Sequence, residues 1–146
     1  MTYQEALSKA ERFCAYQERS QQDVRRRLAL WKVAPEVAEA LIAELITQGF
    51  LNEARYAEAF ASGHYRIKRW GRLKIVQELR RNGVSDPCIR KAMASVDFSD
   101  YTETIRRVAD GWRRTHAGVP EETLSWRLYA YLSSRGFEAE EIKKLT

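Results

Sequence analysis

At a period of about 51 to 53 residues the sequence repeats a leucine set five positions ahead of a valine or phenylalanine. Leu28 precedes Val33, Leu79 precedes Val84, and Leu132 precedes Phe137. The register continues through Val37, Ile89 and Ile142, then through Leu41, Met93 and Leu145 once one residue of slack is allowed. A unit of this length cannot bury much core alone, so successive units must stabilise one another by stacking or by sharing linker helices.

Local signals make each unit helical. Sustained period-two alternation is absent, and apolar residues recur at helical spacing in segment after segment. Ser20-Gln21-Gln22-Asp23 has the form of a capping box, and Pro35 and Pro87 stand where a helix begins and a missing N–H costs nothing. Gly49, Gly83 and Gly136 each follow a polar residue and suit helix ends that need a left-handed backbone. The expectation is an all-α fold of about nine helices, arranged as three tandem three-helix, helix-turn-helix-like repeats. Their boundaries fall at 1–48, 49–96 and 97–146, and the array they form is elongated and curved.

The function classes narrow quickly. No apolar stretch approaches the roughly 18 residues of a membrane span; Val37 to Ile46 is broken by Glu39 and Glu44. The N-terminus has neither a basic region nor an apolar one of secretory type, so a cytoplasmic location is expected. Cys14 and Cys88 lie too far apart for a metal knuckle and read as small core hydrophobes. No glycine-rich phosphate loop, no Gly-x-Ser-x-Gly elbow and no Cys-His signature is present. His64 and His116 lack partners at metal-ligand spacing and read as surface residues, while Glu121-Glu122 and Glu140-Glu141 sit where helix N-termini favour acids. A non-enzymatic protein without cofactor or metal is the expectation.

Charge is distributed unevenly. Residues 1–48 carry seven basic and seven acidic side chains, residues 49–96 ten and four, and residues 97–146 eight and nine. Of the net +5, the middle third therefore holds +6, and a polyanion should meet the chain there. Within that third, Tyr65-Arg66-Ile67-Lys68-Arg69-Trp70-Gly71-Arg72 alternates cations with bulky apolar residues. Cations displace condensed counterions from a phosphate backbone, and exposed rings can stack on bases. Tyr65 and Trp70 read first as packing residues. In the helix that follows, Ile75, Val76 and Leu79 face a core, and Arg72, Lys74, Arg80 and Arg81 remain outside. Glu78, four residues from Lys74, offers an internal salt bridge.

The same stretch carries a resemblance. Gly49-Phe50-Leu51-Asn52-Glu53-Ala54-Arg55-Tyr56-Ala57-Glu58-Ala59-Phe60, then Arg66, Gly71-Arg72-Leu73-Lys74-Ile75, Glu78-Leu79 and Asn82-Gly83-Val84, is similar to the signature of the RecX family. Asn52 replaces that family's usual Asp and Tyr56 its usual Phe, changes that keep cap and core chemistry. Ala10, Arg12, Tyr16, Arg19-Ser20, Val24-Arg25 and Leu28 fit the first repeat, and Leu132, Arg135-Gly136-Phe137 and Ile142 fit a third.

The resemblance implies a regulator that binds the filament of a RecA-type recombinase on single- or double-stranded DNA. It would act as a monomer, away from membranes, and limit filament extension, ATP turnover and strand exchange in recombination and repair. Contact with DNA or filament is carried onto Lys68, Arg69, Arg72, Lys74, Arg80 and Arg81. Weaker candidates are Arg25, Arg26, Arg106, Arg107, Arg113, Arg114 and Arg127. The alternatives are a helix-turn-helix regulator reading duplex sequence, and a helical scaffold that binds only protein.

Overall fold

The computed structural model describes residues 1–145 and is built of helices alone; Thr146, the last residue of the expected third repeat, lies outside the described residues. In chain order the helices are α1 (Tyr3–Tyr16), α2 (Gln21–Leu30), α3 (Pro35–Thr47), α4 (Glu53–Arg66), α5 (Arg72–Arg81), α6 (Asp86–Ser95), α7 (Tyr101–Thr115), α8 (Glu121–Ser134) and α9 (Ala139–Lys143).

Start signals act as the sequence indicates. The buried Ser20 hydroxyl accepts from the Asp23 N–H at 3.0 Å, and the Asp23 carboxylate accepts from the Ser20 N–H at 3.0 Å. This reciprocal pair satisfies two donors that a helix N-terminus leaves unmet. The Asn52 side chain accepts from the Arg55 N–H at 2.8 Å and opens α4. Pro35 and Pro87 sit in first turns, as do Glu121 and Glu122 of α8 and Glu140 and Glu141 of α9.

The leucine-to-valine spacing is the chemistry of the helix ends. The Val33 N–H donates to the Leu28 carbonyl, Val84 to Leu79, and Phe137 to Leu132, at 3.0 to 3.2 Å. The residue before each donor, Lys32, Gly83 or Gly136, has φ of 62°, 79° or 95°. Each end is thus a Schellman motif, in which the left-handed turn folds the next apolar residue back over the last turn. Leu28, Leu79 and Leu132 are fully buried, and Val84 and Phe137 are buried with their partners.

Two cores result. Residues from α1, α2 and α3, with Leu51, form the first, around Val24, Leu28, Leu41 and Leu45. Residues from α4 to α9 form one continuous second core, running from Tyr56 and Ile75 to Ile105, Trp112, Leu132 and Ile142. In α7 the buried stripe Tyr101, Ile105, Val108, Ala109 and Trp112 follows helical spacing and faces that core. Cys14 is buried and Cys88 half-buried, both as free thiols. Burial is the first cause that raises the Cys14 thiol, to about 11, so it stays protonated and unreactive.

Backbone meets backbone where the turn before α5 crosses the end of α8. The Gly71 N–H donates to the Arg135 carbonyl at 2.8 Å and the Leu73 N–H to the Gly136 carbonyl at 3.0 Å. A Cβ on Gly71 would overlap the carbonyl carbon and oxygen of Gly136, and one on Gly136 would overlap the Cβ of Lys74. Only two glycines permit this approach.

Candidate nucleic-acid interface

The cationic segment 65–74 hangs between α4 and α5, and the structure divides its side chains into two kinds. Tyr65 is a packing residue: it is 3% exposed, and its hydroxyl donates to Asp100 at 2.5 Å. Burial first, then that carboxylate, push its phenol up to about 12. Trp70 is half-buried against the second core. Its indole is flanked by two ammonium groups, Lys74 Nζ at 4.3 Å from a ring centroid and Lys68 Nζ at 6.0 Å. Lys74 does not pair with Glu78, whose carboxylate instead takes Arg81 at 3.0 Å.

Arg72 departs most from the expectation that it stays outside. It is half-buried, its Nε donates to Glu138 at 2.7 Å, and its Nη2 reaches Glu141 at 3.5 Å. Its guanidinium lies 4.1 Å from the Tyr101 ring centroid and 5.3 Å from that of Phe98. The Tyr101 hydroxyl accepts from the Arg72 N–H at 3.0 Å and donates to Glu138. Burial disfavours the Arg72 charge, but the hydrogen bond and field of Glu138 over-compensate and its pKa is raised. The same burial and carboxylate hold the Tyr101 phenol far above its ordinary range. Arg72 ties α5 to α9 and has little left to offer a ligand.

The remaining candidates fall into a paired and an unpaired set. Arg80 meets Asp86 at 3.4 Å, Arg106 and Arg107 share Glu103 at 2.9 and 3.3 Å, and Arg113 meets Asp110 at 3.3 Å. Arg25 grips Glu39 at 2.7 and 3.0 Å and, mainly through those hydrogen bonds, lowers the pKa of its carboxyl; Arg26 is 3.6 Å from Asp23. These pairs are largely solvent-exposed, and such contacts are worth little and exchange readily for a phosphate. Lys68, Arg69, Arg114 and Arg127 are exposed and have no carboxylate partner among the described residues.

Both histidines are half-buried rather than free on the surface. His64 stacks on Phe60, ring centroids 3.7 Å apart, and His116 on Trp112 at 4.0 Å. Each ring Nδ1 lies 2.8 Å from the carbonyl of the residue four before it, at the end of α4 or α7. Burial first, helped by Lys68 and Lys74, lowers the His64 pKa. The repeat explains the pairing: Phe60 and Trp112, like His64 and His116, stand 52 residues apart.

Geometry brings together a group that is scattered along the sequence. Arg69, Arg107, Arg114 and Arg135 line one cleft with Trp112 and Tyr131, and no carboxylate lines it. In the sequence Arg135 carries only its place in the third-repeat motif, and nothing there marks Trp112 or Tyr131 as functional. The aromatic-x3-His recurrence was the signal that could have drawn attention to that end of α7.

Residues 6–45 match the first three-helix domain of RecX, and residues 52–93 match the second. The chain is 31% identical over 138 residues to the regulatory protein RecX of Halorhodospira halophila, covering 92% of this chain and 81% of that one. The chain belongs to the RecX family. Regulatory protein RecX of Amycolatopsis mediterranei is 27% identical over 138 residues, covering 92% of this chain and 79% of its own length. A crystal structure of regulatory protein RecX superposes with a TM-score of 0.86 over 97% of this chain and 71% of the other, at 20% identity. Against the RecX domains, the basic turn before α5 lies inside the second domain, and the cleft reaches beyond it into α7 and α8. Among the described residues of this RecX-family chain, no helix is long and apolar enough to cross a membrane.

Proposed function

We propose that this protein is a non-enzymatic regulator that binds the filament of a RecA-type recombinase on DNA in the cytoplasm and limits its extension, ATP turnover and strand exchange. Membership of a family of regulatory proteins supports the reading at its coarsest level. The observation that carries it further is the cationic surface around the turn before α5. There Lys68 and Arg69 stand free of carboxylates, Lys74 sits on Trp70, and neighbouring arginines from α7 and α8 extend the patch. A filament groove offers phosphate and protein together, and a basic strip between less charged ends suits such a groove.

The test is the ATPase of a RecA-type recombinase on single-stranded DNA with this protein titrated in. Inhibition is expected at amounts well below one per recombinase protomer, because blocked extension acts at filament ends. Unchanged turnover at equimolar protein sinks the proposal.

The proposal includes the shape. Three tandem repeats, the second and third sharing one core, form an elongated, curved array. The accessible surface of 8959 Å² supports this, since a compact monomer of 17.0 kDa exposes about 7,700 Å². Small-angle scattering should give a radius of gyration above the roughly 15 Å of a compact domain of this length. A monomer at that limit would count against the array.

A further inference from the structure

Two clefts of related construction lie beside the aromatic–histidine stacks of α4 and α7, and their chemistry is opposite. The first is lined by Phe60 and His64 together with Glu18 and Asp23. The second, of about 390 Å³, has Trp112 and His116 with Arg69, Arg107, Arg114 and Arg135. Since the same architecture supports either sign, the cationic lining of the second cleft is a property of its residues.

We infer that the second cleft, between α7, α8 and the turn before α5, is a binding site for the phosphodiester backbone of single-stranded nucleic acid. This deepens the reading above by naming which residues hold the strand, and it rests on that reading for the nucleic-acid source of the phosphate. Three observations carry it. The first is charge: four guanidiniums border the cleft without a carboxylate, two of them (Arg69 and Arg114) without any ion-pair partner among the described residues. Arg107 shares its one acid, Glu103, with Arg106, so that pair is only partly neutralised. Guanidinium forks match phosphate oxygens in geometry and in sign.

The second observation is how the cleft is held. An Arg135 Nη2 donates to the carbonyls of Lys68 and Arg69, fixing the turn against α8. Its Nε is buried with no acceptor, the one such side-chain atom among the described residues. Leaving a buried donor unmet is costly, so Arg135 is held at the cleft's edge at the expense of its own Nε. The third is backbone strain: Arg69 has φ of 56°, a left-handed conformation that glycine or asparagine adopts more readily. The strain places a free guanidinium at the cleft's edge. Tyr131, half-buried beside the buried Trp112 with centroids 6.3 Å apart, gives a partly exposed ring against which a sugar or base can rest.

The experiment measures binding of the full chain to a short fluorescent oligothymidylate across a salt series, with inorganic pyrophosphate as the second probe. The variant is Arg69→Asn with Arg114→Gln, side chains that hold nothing else in place, so folding should be kept. The control is Arg90→Gln with Lys91→Gln, which removes the same charge from exposed cations of α6 outside the cleft. The expected result is a loss of at least tenfold in oligonucleotide affinity for the cleft variant and less than threefold for the control. The slope of log affinity against log salt should flatten by about 1.4 for two lost contacts. Arg69→Lys with Arg114→Lys should restore most of the binding. Equal losses in variant and control, or none in the variant, overturn the site. Pyrophosphate that binds the cleft while the variant keeps its oligonucleotide affinity overturns the nucleic-acid source. Recombinase ATPase with wild-type protein runs alongside: inhibition there with no cleft effect sinks this inference alone, whereas a cleft effect without inhibition sinks the regulatory reading alone.

Discussion

Replacing Gly136 by alanine should destabilise the protein by about 3 to 4 kcal/mol, enough to lower its melting temperature by roughly 10 °C. Two costs combine. The residue has φ of 95°, where a Cβ meets its own carbonyl, and the new methyl would also stand 2.6 Å from the Lys74 nitrogen and 3.0 Å from the Gly71 oxygen. Neither neighbour is the loose end of a side chain, so relief requires prising α5 from the end of α8. Gly71→Ala separates the two costs. Its φ of −75° suits any residue, yet its Cβ would overlap the Gly136 carbonyl, so the contact alone should remove about 2 to 3 kcal/mol. Gly49→Ala is the converse, with φ of 81° and nothing within 4 Å, and should lose about 1 kcal/mol. Gly63, inside α4 with open space around it, should gain up to about 1 kcal/mol as alanine. Denaturant unfolding checks the series. If Gly71→Ala and Gly63→Ala prove alike, the close approach of the two backbones is not what joins α5 to α8.

That junction marks the boundary of what the sequence makes legible. The Schellman ends are written locally: Leu28 to Val33, Leu79 to Val84 and Leu132 to Phe137 each lie within six residues, and the hydrogen bond joining each pair is what keeps the spacing fixed. Gly49, Gly83 and Gly136 were likewise readable as left-handed ends, because a polar residue and then a small one close an apolar run. Nothing local says that Gly71, with an ordinary φ, is glycine for the sake of Gly136, 65 residues away. Formal charge hides the same kind of distant contact. It counts Arg72 as one cation among ten, although Glu138 and Glu141, on the far side of the chain, have already engaged it. The +6 of the middle third is therefore a tally of formal charges, and the surface available to a polyanion is a different set. That set loses Arg72 and gains the exposed Arg107 and Arg114 from the last third, where acids outnumber bases by one.

Changing Lys68, Arg69 and Lys74 together to glutamine should leave the fold intact and weaken DNA binding by ten- to hundredfold at about 0.1 M salt. Lys68 and Arg69 are exposed and hold no carboxylate, and Lys74 keeps its Cβ against Gly136, losing only the cation–π contact with Trp70 of about 0.5 to 1 kcal/mol. Each phosphate contact removed should flatten the log–log salt slope by about 0.9 on duplex and about 0.7 on single strands, whatever the base sequence. Adding Arg72→Gln should produce a different kind of damage. It would leave Glu138 and Glu141 half-buried without their guanidinium and strip Tyr101 and Phe98 of its covering, for a further stability loss of about 1 to 3 kcal/mol. Circular dichroism melts and fluorescence anisotropy on the same samples distinguish the two effects. A triple variant with unchanged affinity and salt slope would remove the turn before α5 from the functional surface. If the quadruple variant melts with the triple, the Arg72 network is ornamental to stability, and Arg72 returns to the set of cations free to meet DNA.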